Sequence, residues 1–420
     1  MASSHIASGT LDFLSQRAKP VAKRLYGPAI IAAAGAWRRV LRTELIGITG
    51  SAGKTTTKEL LYTILSSVAR TVRSHDSDNQ LYDVARTLMR TSPRVRYGVF
   101  EVGASEPGGF DPMLELLRPR VGIVTNVGED HYKAFRGPEA VAAEKGKLIA
   151  ALPADGIAIL NADDPRVLAM AARARARIVT FGTAAKADLH AESMHSRWPE
   201  PLRLQVYWDG RCFELQTRLH GKHQASCVLA ALAASGALGV PLEAAVTAMA
   251  SWQPPTGRMS AWSTPGGVHF LRDDFKAPAW SLPASLEVMA EATAPRRIIV
   301  LGTVSDYGGN SRKVYRRAVS MALQASEIAI VIGDRADSLI EQFPAEAAGN
   351  RLLGFGTVRE ASQWLHDAAQ PGDLVLLKGS ISDHLSRLAL QFERDVRCWQ
   401  QPCKRMHFCE RCPLLASERA

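Results

Sequence analysis

This 420-residue chain has no long hydrophobic run. Its longest apolar stretch, Ala29 to Trp37, is less than half of the ~20 residues that a bilayer-spanning helix needs. Basic residues flank it on both sides, so it reads first as a helix packing on the next domain and second as a peripheral contact with a membrane surface. No export signal stands out ahead of it, which predicts a cytoplasmic protein. Massed charge is also lacking. The 51 Lys and Arg against 41 Asp and Glu give a net charge of +10, but the basic residues are scattered, and no nucleic-acid partner is expected. No repeat of solenoid period is visible, which excludes a stacked-repeat architecture. Cysteine is scarce and uneven: of six, Cys212 and Cys227 sit in apolar surroundings, while Cys398, Cys403, Cys409 and Cys412 crowd the tail.

What is present is an ordinary globular composition, 46% hydrophobic, with enough length for two or three domains. After a helical lead-in of residues 1–42, strand-like runs alternate with helix-compatible segments: IGIT, VRYGVFEVG, VGIVTNV and GIAILNADD. That alternation predicts a parallel, doubly wound α/β sheet with its site at the strands' carboxyl ends. LRLQVYW and CFELQTRL read as antiparallel strands, followed by an Ala-rich helix over Ala225 to Leu238. WQPPTGR then marks a hinge, after which VHFLRDDF, RRIIVLGT, EIAIVIGD and DLVLLKGS open a second α/β series. The expected organisation is thus a central domain over 43–254, a smaller Rossmann-like domain over 255–395, and a Cys-rich tail over 396–420.

The strongest local signal is GITGSAGKTTTK, Gly47 to Lys58, where an Ile-rich strand empties into a glycine-punctuated turn before an amphipathic helix. This is a phosphate cradle. Gly50, Ser51, Ala52 and Gly53 offer backbone N–H groups, Lys54 a charge for the β/γ-phosphates, Thr55 a hydroxyl for Mg²⁺, and Thr56 continues the turn. Ile48 stands where the usual first glycine of a P-loop would be, so the generic nucleotide switches fit less well than a variant family. Two downstream strand ends offer metal partners: Glu101 after YGVF, and His131 in TNVGEDH after VGIV. Either alone is an ordinary loop residue. A carboxylate and a neutral imidazole at the same edge as the cradle form a plausible Mg²⁺ set.

The order TGSAGKTT, EVGAS, TNVGEDH, AAEKGKLI, NADDP, GKHQAS, PPTGR, DDFKAP and LKGS resembles the Mur ligase family over roughly residues 45–390. The resemblance implies an ATP-dependent ligase, in which the γ-phosphate passes to a substrate carboxylate and an amine then displaces it from the acyl phosphate. It implies that Lys54 holds the transferred phosphoryl group, that Thr55 and Glu101 hold a first Mg²⁺ and His131 a second, and that Lys145 is the lysine family members carbamylate. His223 and Gln224 would face adenine, Arg258 the ATP phosphates and Asp274 the ribose or the linker. Asn79, Asn126 and Lys378 would lie on the substrate side.

The departures are informative. The family's HNxxN segment reads His223-Gln224-Ala225-Ser226-Cys227, and its DDSYNANP reads Asp273-Asp274-Phe275-Lys276-Ala277-Pro278, without the asparagines near the amine. With the short lead-in, these changes predict a specialised ligase acting on another small-molecule carboxylate and amine; a degenerate nucleotide-binding scaffold is the alternative, and a motion-coupled ATPase is a third reading. The tail's C-x4-C-x5-C-x2-C lies outside the resemblance. In a reducing compartment such thiols predict Zn²⁺ or an iron–sulfur cluster rather than disulfides.

Overall fold

The structure, a computed structural model, describes residues 25–403, 405 and 407–415. Residues 1–24 of the expected lead-in, and 404, 406 and 416–420 of the expected tail, lie outside the described residues. The described chain divides into two compact units, one running to residue 196 and adding 201–255, the other comprising 197–200 and everything from 256 onward.

In the first unit, residues 25–40 form helix α1. Nine strands make one sheet: β1 (Glu44–Thr49), β2 (Thr71–Arg73), β3 (Tyr97–Glu101), β4 (Val121–Val124), β5 (Ile157–Asn161), β6 (Arg177–Gly182), β7 (Leu189–Arg197), β8 (Glu200–Trp208) and β9 (Arg211–Gln216). Their order is β2-β3-β1-β4-β5-β6-β7-β8-β9, parallel from β2 to β7 and antiparallel between β8 and β9. The first strand, ELIGIT, is buried at all but its first residue, because a central parallel strand is covered on both faces.

The helices of this unit are α2 (Lys54–Val68), α3 (Leu81–Met89), α4 (Phe110–Leu117), α5 (Tyr132–Phe135), α6 (Pro138–Ala150), α7 (Pro165–Leu168), α8 (Ala225–Ala237) and α9 (Leu242–Met249). Along α2, Leu60, Leu61, Ile64 and Leu65 form one stripe that packs on α8 and α9, each burial stabilising by about 1.5–3 kcal/mol. Helix α8 is small and apolar on every side (ASCVLAALAASGA), so it sits inside the core rather than on it, and its small side chains admit close neighbours. The apolar stretch in α1 packs as first read: Ala34 is buried, and Ile30, Ile31 and Trp37 lie against a core containing Leu88, Met113 and Leu117. Among the described residues no helix is long and apolar enough to cross a membrane.

The second unit has a six-stranded sheet of β10 (Ser260–Ser263), β11 (His269–Asp273), β12 (Arg297–Leu301), β13 (Ile328–Ile332), β14 (Leu352–Phe355) and β15 (Leu374–Lys378), in the order β10-β11-β15-β12-β13-β14. Only the edge strand β10 runs antiparallel. Helices α10 (Leu282–Glu291), α11 (Ser311–Ala325), α12 (Ala336–Ile340), α13 (Pro344–Ala348), α14 (Val358–Ala368) and α15 (Ser386–Leu390) complete it. The last strand lies between β11 and β12 with all five residues, LVLLK, buried, and separate cores cover the two faces. From the tail, Val396, Cys409 and Leu415 join Leu390 in a small cluster of this unit.

Candidate active site

Strand β1 ends at the glycine turn, and its neighbours deliver the remaining groups to the same edge. Register places Ile48 opposite Glu101 on β3 and Thr49 opposite Val124 on β4, so Glu101 and the 125–131 segment leave the sheet on either side of the turn. The glycines are required sterically. A Cβ on Gly50 would lie 1.8 Å from Thr125 Oγ1, and Gly53, at φ +81°, has Cys227 Sγ 2.8 Å from where its Cβ would be. Helix α2 starts at Lys54 with no side-chain cap, which leaves its first N–H groups available to an anion.

The turn is braced from β4's exit. Thr125 Oγ1 donates to the Ala52 carbonyl at 2.6 Å, and Asn126 Oδ1 accepts the Ala52 N–H at 2.8 Å. Asn126, expected beside substrate, therefore spends its side-chain oxygen on the cradle. Lys54 curls back so that Nζ donates to the Gly50 carbonyl at 2.6 Å, and Thr55 Oγ1 lies 3.1 Å from Ser77 Oγ.

Glu101 is 1% exposed, and neither of its carboxylate oxygens accepts a hydrogen bond; its charge partner is Lys58 Nζ, 3.3 Å from Oε1. Lys58 is wholly buried and also reaches Glu59 at 3.1 Å, the Ser74 carbonyl at 2.9 Å and the Asp76 carbonyl. A buried carboxylate without hydrogen-bond donors is suited to a hard cation, so the donor set fits Mg²⁺. Asn79 stands over the next turn, its side chain 2.9 Å from where a Cβ on Gly103 would be.

His131 takes a left-handed conformation (φ 47°) at the start of α5. Its Nε2 lies 3.8 Å from one oxygen of Asp130, and Lys145 Nζ, on α6, lies 3.7 Å from the other. The structure thus joins His131 and Lys145 through Asp130, which sequence reasoning did not single out; its adjacency to His131 in GEDH was the available signal. Lys58 was missed too, although it lies one turn beyond Lys54 on the face shared with Thr55. At the start of α8, His223 Nε2 and Gln224 Nε2 are 3.1 Å apart, and Cys227, where the family has asparagine, packs its sulfur beneath Gly53.

In the second unit, Lys378 ends β15 opposite both Asp273 and Leu301. Its Nζ donates to Asp273 Oδ2 at 2.5 Å, and Ser285 Oγ donates to the same oxygen at 2.7 Å. Asp274 is buried and pairs with Arg272 at 3.0 Å, while the Arg258 guanidinium lies 4.1 Å over the Phe275 ring. The KGS turn is held by Asp383, which accepts the Ser380 and Thr303 N–H groups at 2.8 and 2.7 Å.

The tail departs from the expected metal geometry. Cys398, Cys403 and Cys409 are buried and Cys412 half-buried, but among the described residues no three ligand atoms of the tail lie within 4.8 Å of one another. Four thiolates on one zinc would stand about 3.8 Å apart. What occupies the space is Arg387, against the sulfurs of Cys409 and Cys398.

Both halves of the chain match known proteins. The Mur ligase middle domain model matches residues 48–235, and the Mur ligase, glutamate ligase domain model matches residues 257–381. A UDP-N-acetylmuramoyl-tripeptide–D-alanyl-D-alanine ligase of Mycobacterium leprae is 29% identical over 402 residues, covering 86% of this chain and 77% of its own. Among solved structures, MurF from Acinetobacter baumannii superposes with a TM-score of 0.78 at 24% identity, covering 87% of this chain and 80% of its own. MurF ligase from Thermotoga maritima, solved in complex with ADP, superposes at 0.75 with 21% identity, covering 87% and 83%. With the two domain models matched in order along the chain, it belongs to the Mur ligase family and is an ATP-dependent ligase that forms amide bonds.

Proposed function

We propose that the protein joins a carboxylate to an amine through an acyl phosphate, releasing ADP and phosphate. The supporting observation is the Glu101 carboxylate, buried beside the cradle with no hydrogen bond on either oxygen. In this reading a substrate carboxylate oxygen attacks the γ-phosphorus of ATP and the bond to the bridging oxygen of ADP breaks. The amine nitrogen then attacks the acyl carbon, phosphate leaves, and the amine gives up a proton. Lys54 exchanges the Gly50 carbonyl for the transferred phosphoryl group, and the α2 N–H groups hold the phosphate oxygens. Mg²⁺ held by Thr55 and Glu101, with a second ion at His131, would offset the charge that builds between the two anions. A carbamate on Lys145 would put a second negative charge beside Asp130, an arrangement that fits a cation between them.

The relatives' name makes UDP-N-acetylmuramoyl-tripeptide and D-alanyl-D-alanine the first pair to test, and it weighs against the specialised pathway expected from sequence. A different amine remains a second reading, because Lys276, ion-paired to Asp306 at 2.6 Å, stands in the segment where the family carries asparagines. ATP dependence places the reaction in the cytoplasm, with small-molecule substrates. Incubation with ATP, Mg²⁺ and carboxylate–amine pairs is expected to release ADP and phosphate, with a loss of about 100-fold or more in Lys54→Ala. AMP and pyrophosphate would overturn the acyl-phosphate route. Tight nucleotide binding without turnover on any pair would support the scaffold alternative.

A further inference from the structure

Residues 408–412 lie beyond the segment that the glutamate ligase domain model matches, yet they pack on two segments within it. Cys409–Arg411 is a single helical turn, with Cys409 buried beside Leu390, Val396 and Leu415. Cys409 Sγ accepts from Arg387 Nε at 3.3 Å and lies 3.3 Å from His384 Nδ1, and burial pushes its pKa up, so the thiol anchors the turn to α15 as a neutral group. From this anchored turn Phe408 and Glu410 reach across the unit. Phe408 Cε1 lies 3.0 Å from where a Cβ on Gly257 would be, in a residue whose φ of +75° already favours glycine. The Phe408 ring packs on Phe275 with centroids 5.9 Å apart, and the Arg258 guanidinium lies 4.1 Å from the centroid of Phe275. Glu410 pairs with Arg272, whose Nη2 holds Asp274 Oδ2 at 3.0 Å. Arg272 and Asp274 are both buried, so water is a poor substitute for either partner.

We propose that the turn over 408–412 is a brace for the nucleotide-facing groups of this unit, in which Phe408 backs the ring that carries Arg258 and Glu410 balances the Arg272 charge that fixes Asp274. The brace rests on the nucleotide roles that the family resemblance implies for Arg258 and Asp274. Phe408 and Glu410 are positioning residues, each acting through one intermediary. An arginine gives up rotamer freedom when it grips a phosphate, and a ring that already holds its guanidinium has removed part of that loss. The second arm works through charge. Arg272 stands between two carboxylates, so Asp274 keeps acceptor capacity for a ligand hydroxyl. With Glu410 uncharged, Asp274 becomes the remaining anionic partner of Arg272 among the described residues and is drawn towards it, away from a ligand.

Calorimetric titration of the full chain with a non-hydrolysable ATP analogue and Mg²⁺ tests the brace, with the melting midpoint as the control for folding. Phe408→Ala is expected to weaken binding about fivefold or more, and Phe408→Tyr, which keeps the ring, to bind as the parent does. In an Arg258→Ala background the same Phe408→Ala change should add less than about twofold, because the group it positions is gone. Equal losses in both backgrounds are what a general loosening of the domain would give, and they overturn the Phe408 arm. Glu410→Gln keeps the side chain's size and removes its charge. Severalfold weaker binding at an unchanged midpoint is expected there, and binding like the parent's overturns the Glu410 arm. The brace and the reading beneath it fail differently. Arg258→Ala that binds like the parent removes the nucleotide role of Arg258, and the Phe408 arm falls with it. Arg258→Ala that weakens binding while Phe408→Ala and Glu410→Gln do not overturns the brace alone.

Discussion

Glu101 and Lys58 are paired in a place where neither can be hydrated. Removing the carboxylate's charge should therefore act on the metal before it acts on the fold, since Lys58 retains Glu59 at 3.1 Å. Glu101→Gln is expected to raise the Mg²⁺ concentration for half-maximal turnover at least tenfold with little change in thermal midpoint, measured by Mg²⁺ titration beside a melting curve. Lys58→Met is the opposite case. It strands a buried carboxylate and should cost about 3–5 kcal/mol in urea unfolding. A pH effect comes from His220, whose imidazole burial pushes down from 6.5 to about 4. The folded protein keeps it neutral where the unfolded chain binds a proton, so stability falls as pH drops from 6.5 towards 4, by at most about 3 kcal/mol. Burial lowers His384 to about 4 as well, adding a decline of the same sign. Urea midpoints between pH 7 and 4.5 should therefore decline, and less steeply in His220→Gln.

Single elements show what can be read from sequence. Strands β1, β3, β4, β5, β11, β12, β13 and β15 were legible because buried parallel strands are nearly continuous runs of Val, Ile and Leu. Strands β2, β6, β10 and β14 were not anticipated. TVR and SAWS are too short to show a period, and RIVTFG leaves Arg177 and Ile178 exposed, so its pattern is diluted. At the site, Gly50, Lys54, Thr55 and Glu101 could be read because each occupies a strand exit or helix start with a definite chemical role. Lys58 meets Glu101 far along the chain and Asp273 meets Lys378 across strands, which no local pattern reveals, whereas Asp130 was within reach of a reading of its place beside His131. Helix α14 carries a full capping box, Thr357 Oγ1 accepting the Glu360 N–H at 3.2 Å and Glu360 Oε2 accepting the Thr357 N–H at 2.9 Å. Thr357→Ala should lower stability by about 1 kcal/mol, read as a shift in the urea midpoint without a change in slope.

At the scale of the molecule, the chain has two sheets with separate cores and its phosphate cradle on only one of them. Calorimetry is expected to resolve two transitions. MgADP at a hundred times its dissociation constant should stabilise the cradle-bearing unit by about 2.7 kcal/mol and raise that transition first. A single transition insensitive to nucleotide would contradict this.

The cradle takes its shape from a threonine that no nucleotide needs to touch. Because Thr125 fills the volume above Gly50 and ties down the Ala52 carbonyl, substrate affinity can be retuned from outside the binding surface. Thr125→Val keeps the bulk but strands that carbonyl, so nucleotide binding should weaken while every phosphate-facing group stays in place. A ligase of this build can therefore drift in potency through its scaffolding alone, and a survey confined to contact residues would overlook the change.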